Sequence, residues 1–208
     1  MLDALGTFPP VADPAASKVA EVTQQAATLR ARLRPFEGGD WETTVPYPAS
    51  QDRFPSRLAG LAAMIAAGLP LRCVTITAPG MYDTHADQTN GLSTALDLTA
   101  RSLRSFQRDL ESRGLADRVL VLLWSEFGRR AEQNGSAGIG LLLGSRVRSQ
   151  MLGEFPGLTA SGFDSHGNLK ATFDFRSLYC SLLEQWFATD AAAVVPNAAS
   201  FARAELLG

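Results

Sequence analysis

Val119-Leu-Val-Leu-Leu-Trp124 is six apolar residues in a row. A strand with that reading expects cover on both faces of its sheet. Upstream, Leu71-Arg-Cys-Val-Thr-Ile-Thr-Ala78 is rich in β-branched residues and closes at Pro79-Gly80, which predicts a second strand. Ile139–Leu143 is a short third candidate. Helical stripes lie between and around them. Val19, Val22, Ala26, Leu29 and Leu33 are spaced 3-4-3-4 and predict a helix from about Ala15 to Arg34, stopped by Pro35. Leu58, Leu61, Ala62, Ile65 and Leu69 mark another. Leu92 to Leu110 forms a long stripe ending near Gly114. Phe175, Leu178, Tyr179, Leu182 and Trp186 mark a helix capped by Asp174, with Phe175 and Trp186 as its large core anchors. A last short helix follows Pro196. Helix alternating with strand predicts an α/β fold with a mostly parallel sheet.

The 208 residues suit one domain, or one domain with an appendage. With 46% hydrophobic and 19% charged residues, the composition is globular. A formal charge of −2 argues against a nucleic-acid binder that works by bulk charge. The longest apolar stretch, Leu58 to Leu71, is broken by Gly60, Gly68 and Pro70, so no membrane span is expected. The opening MLDALGTFPPVADPAAS lacks a basic start followed by an apolar run, so it predicts no secretory signal. Cys73 and Cys180 form neither a disulfide framework nor a metal cluster and read as two unrelated buried thiols. Phe36 to Pro55 reads as a long loop, a length that is unusual unless it serves a site or covers a surface.

Sites in open parallel sheets form beyond the carboxyl ends of strands. Two polar clusters fall there. In Asp83-Thr-His85-Ala-Asp87, an extended backbone would point three metal-ligating side chains to one side. A turn-capping Asp with a hydrogen-bonded His would give the same string. In Ser125-Glu126-Phe-Gly-Arg129-Arg130, a carboxylate leaves a buried strand, where it needs a partner or a ligand. A structural Glu–Arg pair is the plainer reading. Asp83, His85 and Glu126 are expected to converge. Asp164-Ser-His166-Gly-Asn168 reads as a turn with a solvated histidine. Asn134-Gly135 reads as a plain turn, and Arg101, Arg104 and Arg108 as a solvated helix face.

From Phe54 onward, these pieces in this order resemble the bacterial "domain of unknown function 1501" family. The residues that carry the resemblance are Leu58–Leu69, Asp83-Thr-His-Ala-Asp-Gln88, Gly114–Val119, Ser125-Glu-Phe-Gly-Arg-Arg130, Asn134-Gly-Ser-Ala-Gly138, Gly167–Lys170, and Phe173-Asp-Phe-Arg176 through Trp186. The family is similar to the alkaline phosphatase and sulfatase superfamily. The resemblance therefore implies a three-layer α/β/α sandwich with a metal centre at the carboxyl edge of the sheet. It implies Asp83 and His85 as metal ligands, and Glu126 and Arg129 beside the metal or on a bound anion. It implies a metal-dependent phosphate or sulfate ester hydrolase if the protein is active. Many members carry an export signal, so it implies an exported or periplasmic protein; without such a signal the chain would be cytoplasmic.

Two departures qualify that picture. The family continues after N-G-S-A-G with an Asp-His pair, whereas here Gly138 runs into Ile139-Gly-Leu-Leu-Leu-Gly144. The family's N-terminal portion, with its first strands and nucleophile position, has no counterpart. The chain is thus expected to be a partial sandwich, with an N-terminal helix and irregular loop over 1–53 and the C-terminal portion of the α/β domain over 54–208. Any divalent metal such as zinc should bind weakly, and the protein alone should not catalyse hydrolysis. A hydrolase completed by another chain is the alternative. An exposed sheet edge should favour self-association or a missing N-terminal half.

Overall fold

The computed structural model describes residues 14–39, 41–80, 82–83, 88–125, 128–129, 134–135 and 138–208. Among them are four α-helices: α1 (Pro14–Leu33), α2 (Phe54–Ala66), α3 (Gln88–Ser112) and α4 (Phe175–Gln185). The strands are β1 (Val121–Trp124), β2 (Gly128–Arg129), β3 (Asn134–Gly135) and β4 (Gly140–Leu143). The chain divides into two compact units, Met1–Leu115 and Ala116–Gly208.

In the first unit the helices fall where the apolar stripes put them. α2 turns Phe54, Leu58, Ala59 and Ala62 inward and packs against α3. α3 buries Ala95, Thr99, Ser102, Phe106 and Leu110. The loop before α2 covers a surface, as its length suggested. Trp41 lies on α2 at Gly60, where an added Cβ would sit 2.7 Å from the indole ring, so only glycine admits this contact. The Trp41 indole N–H donates to the Ser56 carbonyl at 3.2 Å. Further along, this strap crosses α3, where the Ser105 hydroxyl donates to the Pro46 carbonyl at 2.9 Å.

The expected mostly parallel α/β/α sandwich is not what forms. Leu71–Ala78 has no ladder partner among the described residues and is largely exposed, Cys73 included. β-Propensity describes how well a residue fits a pleated, half-buried surface; without a partner strand it builds nothing. The other two candidates pair antiparallel, with Val121 opposite Leu143 and Trp124 opposite Gly140. A parallel return needs a crossover of a dozen or more residues, usually a helix. The connection here instead folds back through a second ladder, with Gly128 opposite Gly135 and Arg129 opposite Asn134. Asn134-Gly135 is therefore strand and not turn. Nor does the unbroken apolar run mean double cover, because Trp124 is 65% exposed and Val121, Leu122 and Leu123 are only half-buried.

The second unit has its core around α4. The Asp174 carboxylate caps the helix, accepting from the Arg176 N–H at 2.9 Å. The anchors differ from those expected. Phe175 is 62% exposed, and Trp186 is half-buried beneath the Arg146 guanidinium. The buried face is Ser177, Cys180, Ser181 and Leu182. Small residues there let the backbone of residues 204–207 approach closely. The Ser181 hydroxyl accepts from the Ala204 N–H at 3.0 Å, and the Gln185 side-chain carbonyl accepts from the Leu206 N–H at 2.8 Å. Leu206 is buried. The short helix after Pro196 is a 3-10 turn, Ala198–Ser200.

Candidate functional site

The stem that presents the first motif is fixed by three features of the sequence. Pro79 is buried. Gly80 has φ +82°, and a Cβ there would stand 2.8 Å from the Ala95 Cβ, so the turn sits directly on α3. The Tyr82 hydroxyl bonds the Thr99 hydroxyl at 2.6 Å and donates to the Ala95 carbonyl at 3.2 Å. Asp83 follows immediately and is exposed. α3 begins at Gln88, so the two ends of the Asp83–Gln88 motif are tied to one helix. His85 and Asp87 lie outside the described residues, as does Glu126; the expected convergence of Asp83, His85 and Glu126 therefore falls outside them too.

The second motif and the Asn134-Gly-Ser-Ala-Gly138 string are the two arms of one hairpin. Arg129, on β2, faces Asn134 on β3 across the ladder. The outgoing arm takes four steps from Trp124 to Gly128, and the return arm takes five from Gly135 to Gly140. The return arm thus carries one residue more than its partner. From Asn134 to Gly144 it holds no carboxylate and no imidazole. Among the described residues, no three His, Cys, Asp or Glu side chains stand together as a metal site.

Sequence reasoning passed over the most constrained carboxylate of the first unit. Asp109, on α3, is fully buried. It accepts from the Thr44 hydroxyl at 2.7 Å, the Thr44 N–H at 3.3 Å, the Tyr47 hydroxyl at 3.1 Å and the Arg113 Nε–H at 2.7 Å. Arg113 also donates to the Glu42 carbonyl at 2.6 Å, and Thr44 meets the Ser112 hydroxyl. Burial pushes the Asp109 carboxyl up, but the hydrogen bonds from Thr44, Arg113 and Tyr47 outweigh it and hold it below the usual carboxylate range. Burial, and then the Asp109 charge, push the Tyr47 phenol up. With its oxygens occupied and no exposure, Asp109 holds the strap on α3. The available signal was an Asp at i+3 from Phe106 on the buried stripe, with Arg113 four residues on.

The remaining candidates behave as ordinary surface. The Asp164 carboxylate accepts from the His166 and Asn168 N–H groups at 2.8 and 2.9 Å, which makes 164–168 the expected turn with His166 exposed. Arg101 pairs with Asp97 at 2.6 Å on the exposed face of α3.

The family model described as "Protein of unknown function (DUF1501)" matches residues 12–140. That stretch takes in α1, which the motif-based resemblance had left out, and both motif loops, and it stops short of the Phe173–Trp186 segment. No curated protein and no solved structure matches the chain. Covering more than half of the sequence and both motifs, the match makes the chain a member of the DUF1501 family, whose function is unknown.

Proposed function

We propose that this chain does not by itself hydrolyse phosphate or sulfate esters, and that it acts as a binding or structural unit of its family. The observation that carries this reading is the return arm of the hairpin. Where the family resemblance calls for an Asp-His pair, residues 134–144 read Asn-Gly-Ser-Ala-Gly-Ile-Gly-Leu-Leu-Leu-Gly, with Gly140–Leu143 already paired to β1. A catalytic zinc commonly takes three protein ligands and a water, and a phosphatase-like centre takes two metals. The chain has two histidines, and one of them, His166, belongs to the 164–168 turn. Asp83 and His85 by themselves would hold at most one divalent ion, weakly.

A second reading is favoured by the open edges of the β1–β4 hairpin, which carry no ladder partner among the described residues. Unpaired strand N–H and C=O groups are a template for another strand. A partner chain docked there would bring the missing ligands and restore a metal-dependent ester hydrolase.

The test is turnover of aryl phosphate and aryl sulfate substrates with added Zn²⁺, Mn²⁺ or Ca²⁺, comparing the wild type with His85→Ala. No turnover in either protein is expected, together with a melting temperature that chelator leaves unchanged, since a weakly bound ligand stabilises little. Metal-dependent turnover that vanishes in His85→Ala would overturn the proposal and put the hydrolase first.

A further inference from the structure

The spacing in α1 is strict: Val19, Val22, Ala26, Leu29 and Leu33 follow intervals of three, four, three and four. A helix that packs on a globular core shows a broader stripe, whereas an a/d-only stripe of period 3.5 is the narrow seam of a coiled coil. The structure leaves the first four positions of that seam exposed. Val19 is 66%, Val22 54% and Leu29 42% exposed, and Ala26 is exposed as well. Of the half-buried positions, Ala20, Thr23 and Ala27 lie off the seam and Leu33 closes it at its C-terminal end. The principal element contact of α1 is with the 3-10 turn that follows it, and Arg32 ties its end to the Gly68 carbonyl at 2.7 Å. A helix of this length draws most of its stability from packing an apolar face, and here four of the five seam positions are exposed.

We propose that α1 pairs with α1 of a second copy of this chain as a parallel two-stranded coiled coil. The period selects a helix as the occupant. Self-pairing in register stacks Val19, Val22, Ala26 and Leu29 each on its own counterpart. With Val19 and Ala26 at a and Val22 and Leu29 at d, the flanking pairs are Lys18 with the second copy's Thr23 and Gln25 with its Arg30, so no like charges meet. The antiparallel alternative stacks Val19 on Leu29 and Val22 on Ala26, and it brings Lys18 against Arg32, two positive charges. The seam is short and includes an alanine, so the dimer is weak and depends on concentration.

This inference stands apart from the hydrolase question, because it is read by mass and not by turnover. Sedimentation of the full chain over a range of concentrations should show a monomer–dimer equilibrium. Val22→Glu and Leu29→Glu should return the chain to monomer without unfolding the α2–α3 core, with any loss of helix confined to α1, and Gln24→Glu, off the seam, should leave the dimer intact. In a Cys73→Ser background, mild oxidation should cross-link Ala26→Cys and spare Gln24→Cys. The proposal is overturned by a chain that is monomeric at every concentration, by a dimer that survives both seam charges, or by equal cross-linking at the two cysteine positions.

Discussion

α1 and α3 are the two longest helices, 20 and 25 residues, and both announce themselves by an apolar stripe, yet they meet opposite fates. α3 is covered by α2 on one side and crossed by the strap on another. α1 carries its stripe into solvent. The difference lies in what each stripe offers a neighbour. α3 sets Phe106 and Leu110 beside Asp109, a buried acceptor that only a segment rich in donors can satisfy, and residues 42–47 supply those donors. α1 offers aliphatic groups alone, at an interval that suits another helix.

The contrast can be broken most forcefully at Phe106. It is almost completely buried, so Phe106→Ala should cost ~3–5 kcal/mol in urea denaturation. A loss below ~1 kcal/mol would mean that α3 is no better covered than α1.

Asp109→Asn should come next, at ~1–3 kcal/mol, because the amide cannot accept from every donor aimed at it. The pH dependence follows from the depressed carboxyl. Its contribution is complete above the unfolded value of ~3.9 and is lost as pH falls through the lower folded value. Stability of the wild type should therefore fall in that acid window, and Asp109→Asn should flatten the fall. An equal acid slope in both proteins would remove Asp109 from the account.

Gly60→Ala tests the strap from its other end. The new methyl would displace the Trp41 ring, at ~1–3 kcal/mol and with a shifted tryptophan emission. Unchanged fluorescence would show that the ring does not rest there.

The smallest effect belongs to α1. In dilute monomer, Val22→Ala should change stability by less than ~0.5 kcal/mol. A loss as large as that at Asp109 would reveal a cover over the seam that belongs to the chain itself.

How far the sequence could be read follows the same division. The helices were legible because a stripe at period 3.6 is a local property, and Asp174 announced its own N-cap. The sheet was not. Whether Val119–Trp124 pairs parallel or antiparallel depends on the return path, and Leu71–Ala78 has β-rich composition with no partner to use it. The paired motifs were legible as strings, and Arg129 opposite Asn134 shows two of them sharing one hairpin. Asp109 was hidden because a carboxylate on an apolar stripe makes sense only once Thr44 and Tyr47, more than sixty residues earlier, are seen to arrive at it.

That convergence has a kinetic consequence. Thr44 and Tyr47 of the strap end on one carboxylate that Arg113 also holds, so residues 44–47 have no route for peeling away one by one. Losing the Asp109 contacts loosens that stretch as a unit, while Trp41 stays held at the Ser56 carbonyl. In hydrogen exchange the Thr44 amide, though it lies in a loop, should therefore exchange on the timescale of the α3 amides around Leu110, and it should speed up together with them as denaturant is raised.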